Sequence, residues 1–479
     1  MTRAPWRVGG MRRWASGGWM AAVLLTALAG AGSAIAQERP NVIVFIGDDV
    51  GWRDSGAYGN PAVRTPSIDR LAREGLRVEH AYLTIAQCSP SRISVLTGKY
   101  PHSTGAEDLH MPLPAGERMV PSYLRDAGYF TGHMQKTHYG PHGEEQFEWY
   151  SPDLSSAFPG FLDSAQGRPF FLWVGFSDAH RPYAAGAVDP PHDPAAVQVP
   201  PYLADTPETR ADLALYYDEI ARMDGEIGRM VAELERRGLR ENTLLVYMSD
   251  NGMPFPRAKG TVYDEGIRTP LIFSWPRVVS SGQVYDRGLV SVVDLAPTFL
   301  ELAGIPLPST MQGRSIRDLL TDPAGHAGRE MVFSERNWHD CDEHIRSVRT
   351  ARYKLIRTDA YLELPLCTAA DLASSPSWFS LIQGKEAGTL TPAQARLFET
   401  PRARIELYDL ATDPWEIRNV ADEAAYADTA RELAVALDRW IEETDDFPAW
   451  TRVRDDHTDR ITGVRFSDRV PPMRQVEVP

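Results

Sequence analysis

Four polar clusters in this sequence each follow an apolar run and carry groups able to do chemistry. Asp48-Asp49 follows Asn41–Ile46, and Asp250-Asn251 follows Leu244–Met248. Lys136 and His138 follow Tyr129–Met134, and His180 follows Phe170–Phe176. Asp48, Asp49, Asp250 and Asn251 offer only oxygen, which suits Ca2+ or Mg2+ and not zinc. Either pair alone reads more readily as a helix cap or a turn. Two such pairs, both placed after apolar strands, favour a shared cation.

Cys88-Ser89-Pro90-Ser91-Arg92 adds a second signal. Pro90 suits the first turn of a helix running to Gly98. Cys88 then sits at that helix's positive end, where anions are favoured. Arg92, four residues on, faces the same side. A lone cysteine is more often a small buried hydrophobe, but that reading leaves the arginine and the strand-end acids unexplained. Lys259 lies eight residues after Asn251, in a Gly- and Pro-containing loop able to fold back over the metal. Elsewhere, Lys136 and Lys259 would be ordinary solvated charges, and His138 and His180 satisfied polar residues near the core.

The elements that must position these groups are legible as patterns. The apolar runs, with Leu271–Ser274 as a fifth, are continuous rather than alternating, as expected of strands covered on both faces. Thr65 is expected to cap a helix with Pro66 in its first turn and Gly75 after its end. Leu213, Tyr217, Ile220, Met223, Ile227, Val231 and Leu234 mark a longer amphipathic helix stopping near Gly238. Asp294 opens another. Strands alternating with helices predict an α/β fold with a large, mostly parallel sheet, whose sites form beyond the carboxyl ends of strands.

From about Met331 the texture changes. Val348–Ile356 and Ile405–Leu410 read as strands of a smaller sheet, and Leu433–Ile441 as a helix packed on it. Residues 371–400 carry no clear pattern. The charged, proline-bearing tail beyond Asp445 is expected on the surface. The division expected is 1–36 as a signal peptide, 38–330 as a catalytic domain and 331–479 as a smaller C-terminal domain.

The bulk numbers narrow the function. With 43% hydrophobic and 24% charged residues, the 479-residue chain has a globular composition. Its formal net charge of −15 disfavours nucleic acid and anionic membrane surfaces, so clustered cations are informative. Arg3, Arg7, Arg12 and Arg13, an apolar stretch from Trp19 to Ala29 and Ala34-Ile35-Ala36 fit an export signal. The apolar run falls short of the roughly 20 residues that span a bilayer. A periplasmic or secreted protein, free of the membrane after cleavage, is expected. Such a compartment permits disulfides: Cys341 and Cys367 can pair, leaving Cys88 unpaired.

In combination these motifs resemble the sulfatase family of the alkaline-phosphatase-like fold. Cys88-Ser89-Pro90-Ser91-Arg92 with Leu96-Thr97-Gly98 is similar to its formylglycine signature. Asp48-Asp49 and Ser249-Asp250-Asn251-Gly252 resemble its metal ligands, and Lys136-Thr137-His138-Tyr139-Gly140 its Lys-x-His motif. Glu406-Leu407-Tyr408-Asp409-Leu410, with Asp413-Pro414 and Asn419, resembles its C-terminal signature. The likeness spans about residues 39–421. A finer one, carried by Ser55-Gly56-Ala57-Tyr58, Asp250–Pro256 and Thr206–Leu213, is to the sulfamidase branch, which removes N-linked sulfate from heparan-type glucosamine. Gln135, where a glycine is usual, and Asp264-Glu265-Gly266 depart from that pattern.

The resemblance implies a small antiparallel sheet in the C-terminal domain. It implies Ca2+ (or Mg2+) held by Asp48, Asp49, Asp250, Asn251 and the modified Cys88, and oxidation of Cys88 to formylglycine by a transiently bound formylglycine-generating enzyme. The hydrated aldehyde attacks sulfur and later expels sulfate, which a serine could not do. Arg92, Lys136 and Lys259 stabilise sulfuryl charge, His180, with Lys259, protonates the leaving group, and His138 is the base for elimination. Asn337, His339, Asp340 and Arg346 are expected to line the pocket for a sulfated saccharide or small sulfate ester. Two other functions fit the same residues less fully: a phosphate or phosphonate monoester hydrolase, and a sulfated-glycan-binding protein without catalysis.

Overall fold

Burial on both faces explains the continuous apolar runs. The computed structural model describes residues 39–448; the expected signal peptide and most of the tail lie outside them. The strands are β1 (Asn41–Gly47), β2 (Leu76–Val78), β3 (Ala81–Tyr82), β4 (Phe130–Gln135), β5 (Trp149–Ser151), β6 (Phe170–Gly175) and β7 (Thr243–Ser249). They continue as β8 (Leu271–Ser274), β9 (Gln283–Tyr285), β10 (Val290–Ser291), β11 (Val332–His339), β12 (Cys341–Arg349), β13 (Tyr353–Thr358) and β14 (Ile405–Asp409). Eight form one sheet in the order β5-β4-β6-β1-β7-β8-β2-β9. From β5 to β7 neighbours are parallel; β8 runs against β7 and β2 against β8. The sheet is therefore mixed with a parallel centre.

In β1, Val42, Val44 and Ile46 enter the core on one side of the sheet, and Ile43 and Phe45 the core on the other. With both faces apolar, the pattern alone penalises a register slip weakly. Asn41 supplies the pin. Its Nδ2 donates to Thr243 Oγ1 (3.3 Å) and its Oδ1 accepts from the Phe170 amide (3.2 Å), fixing β1 against both neighbours. The resulting pairs Gly47↔Ser249, Ile46↔Gly175 and Gln135↔Gly175 bring the carboxyl ends of β1, β4, β6 and β7 level. The four polar clusters thus emerge along one rim.

The long helix Pro207–Arg236 covers one face, and the wholly buried helix Cys88–Thr97 lies on the other. A four-stranded antiparallel sheet, β11-β12-β13-β14, follows. Val332, Ile345, Ile356 and Tyr408 from it belong to the same core as Val44 and Ile46, so the two sheets share packing. Among the described residues no helix is long and apolar enough to cross a membrane.

Four sequence expectations need correction. The run Val348–Ile356 is the end of β12, a turn and the start of β13. Thr65 precedes the helix Pro66–Arg73 but does not cap it; its hydroxyl donates to Asp69 (3.0 Å) and accepts from the Gly56 amide. Residues 371–400 contain the helix Pro376–Ala387, capped by Ser375, and a short turn at Pro392–Ala395. The tail does not leave directly for the surface: Asp446 is buried against Arg346 (2.5 and 2.8 Å).

Candidate active site

The turn after β1 carries Asp48 and Asp49, the latter with φ 67°. The turn after β7 carries Asp250 and Asn251. The Asp49 amide donates to Asp250 Oδ1 (3.1 Å), and Asn251 Nδ2 donates to Asp49 Oδ1 (2.5 Å). Cys88 is the first residue of the helix Cys88–Thr97, which ends at Gly98 with φ 69°. Its Sγ lies 3.5 Å from Asp48 Oδ1, 3.8 Å from Asp49 Oδ1 and 3.5 Å from Asn251 Oδ1. Asp48, Asp49, Cys88 and Asp250 each direct a ligand atom within 4.8 Å of the others, all buried.

Three cations ring this group. Arg92 Nε donates to Asp250 Oδ2 (2.8 Å), and its guanidinium reaches the Lys136 carbonyl (3.2 Å). Lys136 pairs with Asp48 Oδ2. Lys259 Nζ stands 2.7 Å from Asp49 Oδ2. Arg336 and Arg257, bonded to the Gly260 carbonyl and to the Trp415 and Glu416 carbonyls, fix the lysine's loop.

The charges leave clear marks. Burial, together with Asp48 and Asp49 and against Arg92, pushes the Asp250 carboxyl up to about 6. Burial also acts on Asp49, but Lys259, His180 and Lys136 outweigh it and hold that carboxyl well below the usual range. Three buried carboxylates in one cluster repel one another unless a multivalent cation joins them, and their oxygens with Asn251 Oδ1 form a hard-cation donor set. The residues present therefore fit a divalent ion. Burial pushes the Cys88 thiol well up, with Asp250 and Asp48 adding to it against Lys136. A thiol so held stays protonated and is a poor nucleophile as it stands.

The histidines occupy opposite flanks. His138 Nε2 meets His110 Nδ1 at 2.6 Å, and burial, with Lys136 and His110, lowers the His138 pKa well below the usual imidazole value, so it is neutral near pH 7. The His110 amide in turn donates to Ser89 Oγ (2.8 Å). His180 lies on the loop after β6. Its Nδ1 faces the Arg181 carbonyl (2.5 Å), which leaves Nε2 toward Asp49 Oδ2 (3.9 Å) and Asp371 Oδ2 (3.7 Å). Arg181 anchors the loop to Asp212 of the long helix (2.7 and 2.8 Å).

The structure thus gathers Cys88, Arg92, Lys136, Lys259, His180 and the four oxygen-bearing residues around one point, with His138 beside it. The residues expected from the smaller sheet divide. Asn337 and Arg346 bond to each other (3.0 Å) and to Glu335 and Asp446 in a buried network, which occupies their polar groups. His339 and Asp340 sit at the turn between β11 and β12. Asp340 Oδ2 accepts from the Ala370 amide (2.7 Å).

Two residues at the site were not anticipated: His110 and Asp371, whose Oδ2 accepts from Lys259 Nζ at 2.8 Å. The usable signal was the Cys341–Cys367 pair. These cysteines form a disulfide (Cα–Cα 6.3 Å), which ties the segment carrying Asp371 to His339 and Asp340. Cys88 is unpaired and buried.

Comparison with known proteins identifies the family. The sulfatase family model matches residues 40–155 and 150–305. A model described as N-sulphoglucosamine sulphohydrolase, C-terminal, matches 257–391. The chain is 31% identical to human (Homo sapiens) N-sulphoglucosamine sulphohydrolase, over 86% of this chain and 92% of that protein. Two solved structures share the fold. One, in complex with its substrate D-glucosamine-2-N,6-O-disulfate, has a TM-score of 0.65 at 21% identity, covering 87% of this chain and 100% of that one. The other, a phosphonate monoester hydrolase of Agrobacterium radiobacter, also has a TM-score of 0.65, at 18% identity, covering 85% and 96%. Sulfatases use a formylglycine and a divalent metal, and this chain presents a cysteine and an oxygen donor set suited to both. Its fold, its clustered motifs and its full-length relative together place it: the chain belongs to the sulfatase family.

Proposed function

We infer that the protein is an exported hydrolase releasing inorganic sulfate from a sulfated saccharide, with N-sulfated glucosamine the first substrate to try. The observation that carries this reading is Cys88 at a helix start, facing Asp48, Asp49 and Asn251 oxygens and ringed by Arg92, Lys136 and Lys259. The saccharide is supported by the relative named for N-sulphoglucosamine and by the structure holding a glucosamine disulfate.

Ca2+, with Mg2+ the alternative, would be held by Asp48, Asp49, Asp250, Asn251 and the modified Cys88. It would supply charge stabilisation at the sulfuryl oxygens. Formylglycine formed at Cys88 by a transient modifying enzyme would supply the nucleophile that the raised thiol cannot. Arg92, Lys136 and Lys259 orient and neutralise the sulfate. His180 holds the proton for the leaving group, and neutral His138 is free to accept one when sulfate is released. Residues 38–330 would form the catalytic part and 331–479 a C-terminal part, after export to the periplasm or beyond on a signal at 1–36.

The test is sulfate release from N-sulfoglucosamine, together with the mass of the peptide around Cys88. Conversion of thiol to aldehyde lowers that mass by about 18 Da, and Cys88→Ala should abolish release. An unconverted thiol in fully active protein overturns the mechanism. The phosphonate monoester hydrolase of the same fold favours a second reading, phosphate or phosphonate ester hydrolysis. Paired aryl sulfate and aryl phosphate substrates decide between them. Binding of sulfated glycan without turnover by converted protein would point instead to a non-catalytic role.

A further inference from the structure

His110 and His138 lie on loops 28 residues apart, yet both hold a backbone conformation that residues other than glycine seldom adopt. Their φ angles are 66° and 63°. Such a residue persists where its surroundings enforce it. At His110 the surroundings are specific. Its amide donates to Ser89 Oγ (2.8 Å), next to Cys88. The Leu109 amide donates to the Trp338 carbonyl (3.2 Å), and the Trp338 amide to Asp108 Oδ1 (3.1 Å). The Leu113 amide donates to the Tyr139 carbonyl (3.0 Å), which lays this segment along the one carrying His138. These ties bring His110 Nδ1 to 2.6 Å from His138 Nε2.

Two imidazole nitrogens this close share one hydrogen, and its owner decides what neutral His138 can do. If His110 donates, the lone pair of His138 is on Nε2, where that bond already occupies it. Nδ1 then carries hydrogen and can accept nothing. If His110 accepts, the hydrogen is on His138 Nε2 and the lone pair is on Nδ1. Nδ1 is enclosed and finds no hydrogen-bond partner among the described residues. The nitrogens of one ring point apart, so Nδ1 faces away from His110. Lys136 and Arg92 act on this ring, and nearby positive charge favours an open lone pair over an N–H. With His110 accepting, a proton taken up at Nδ1 leaves the bond between the rings intact. It also strengthens that bond, because the donor is then charged.

We propose that His110 is a positioning residue that accepts the Nε2 hydrogen of His138 and so keeps the lone pair on His138 Nδ1. This rests on the sulfatase reading above, in which His138 accepts a proton as sulfate is released. Nδ1 is the atom that accepts it, and His110 keeps it ready. Two substitutions at position 110 separate the acceptor from the backbone. Asparagine tolerates the left-handed conformation and places Oδ1 close to where histidine places Nδ1. Glycine tolerates it equally and offers no acceptor.

The experiment compares the full-length, converted protein with His110→Asn and His110→Gly, all with Ca2+, on 4-nitrophenyl sulfate. The phenol leaves before sulfate does, so kcat/KM reports only the first step while kcat includes the second. In the glycine variant kcat and KM should fall together by about tenfold or more, with kcat/KM within about threefold of the parent. The asparagine variant should keep kcat within about threefold. A readout apart from turnover is the 15N spectrum of histidine-labelled protein near pH 7, with the His138 signals identified by their loss in His138→Gln. The parent and the asparagine variant should carry hydrogen on Nε2 and none on Nδ1, and the glycine variant a mixture. Hydrogen on Nδ1 of His138 in the parent overturns the proposal, as does equal behaviour of the two variants. A fall in kcat/KM as large as that in kcat also overturns it, since His110 would then only support the local fold. Each of these outcomes leaves the sulfatase reading intact. No sulfate release by the converted parent sinks that reading, and the proposal with it, even where the spectrum is as expected.

Discussion

Gln135 stands just before the motif lysine with φ 55°, a conformation that favours glycine. The departure from the family pattern is accommodated locally, since Gln135 Oε1 accepts from the Ser177 amide (3.0 Å), a bond glycine could not make. Asp54, behind the metal-side turn, shows a titration effect. Burial is the main cause that pushes its carboxyl up to about 7, against donors from Tyr216 (2.9 Å) and Asn60 (3.3 Å). A carboxyl raised in the folded state stabilises the fold at low pH. That contribution is lost as pH rises from the ordinary carboxylate range through about 7. Asp54→Asn keeps an acceptor for Tyr216 and removes the titration. Its unfolding free energy should therefore vary less between about pH 4 and pH 7 than the parent's, as denaturant melts across that window would show. An unchanged pH slope would mean that Asp54 is already ionised.

At the scale of elements, the Cys341–Cys367 disulfide closes a segment of 26 residues that includes β12 and β13. Replacing both cysteines with serine should lower stability by about 2–4 kcal/mol, read from denaturant melts. It should also cut kcat/KM, because Asp371 loses one of its ties. Unaltered kinetics in the double variant would show that Asp340 and the following helix suffice. This region also marks the limit of what sequence reveals. β1, β4, β6, β7 and β8 were legible because each is a continuous apolar run, and the strand ends because two oxygen-bearing pairs both follow such runs. Val348–Ile356 was misread because a turn with no glycine or proline, Thr350 to Arg352, hides inside an apolar pattern. Asp371 was missed for a different reason: it meets Lys259 across 112 residues of chain, and of its ties only the Cys341–Cys367 pair left a mark in the sequence. Asn337 and Arg346 looked like pocket groups by type alone, and only packing shows their polar atoms engaged elsewhere.

At the scale of the molecule, the site joins turns from several parts of the chain, and the large and small sheets share one core. Asp48, Asp49 and Asp250 converge without covalent ties, so a bound divalent ion should support the whole structure and not only the chemistry. Chelation should lower stability by about 2–4 kcal/mol relative to saturating metal, and the melting temperature by several degrees in a single transition. Ca2+ and Mg2+ titrations of that shift would rank the two ions. A separate, earlier melt of the smaller sheet would show that the shared core does not couple the sheets.

Cys88 is only 2% exposed, beneath Trp338 and Leu109 and at the start of a helix buried along its whole length. No second protein can grip a side chain so enclosed. On the proposed mechanism, conversion would have to precede closure of the fold around Cys88, which makes maturation a matter of timing. A polypeptide that closed before conversion would, on that mechanism, keep its thiol and lack the nucleophile.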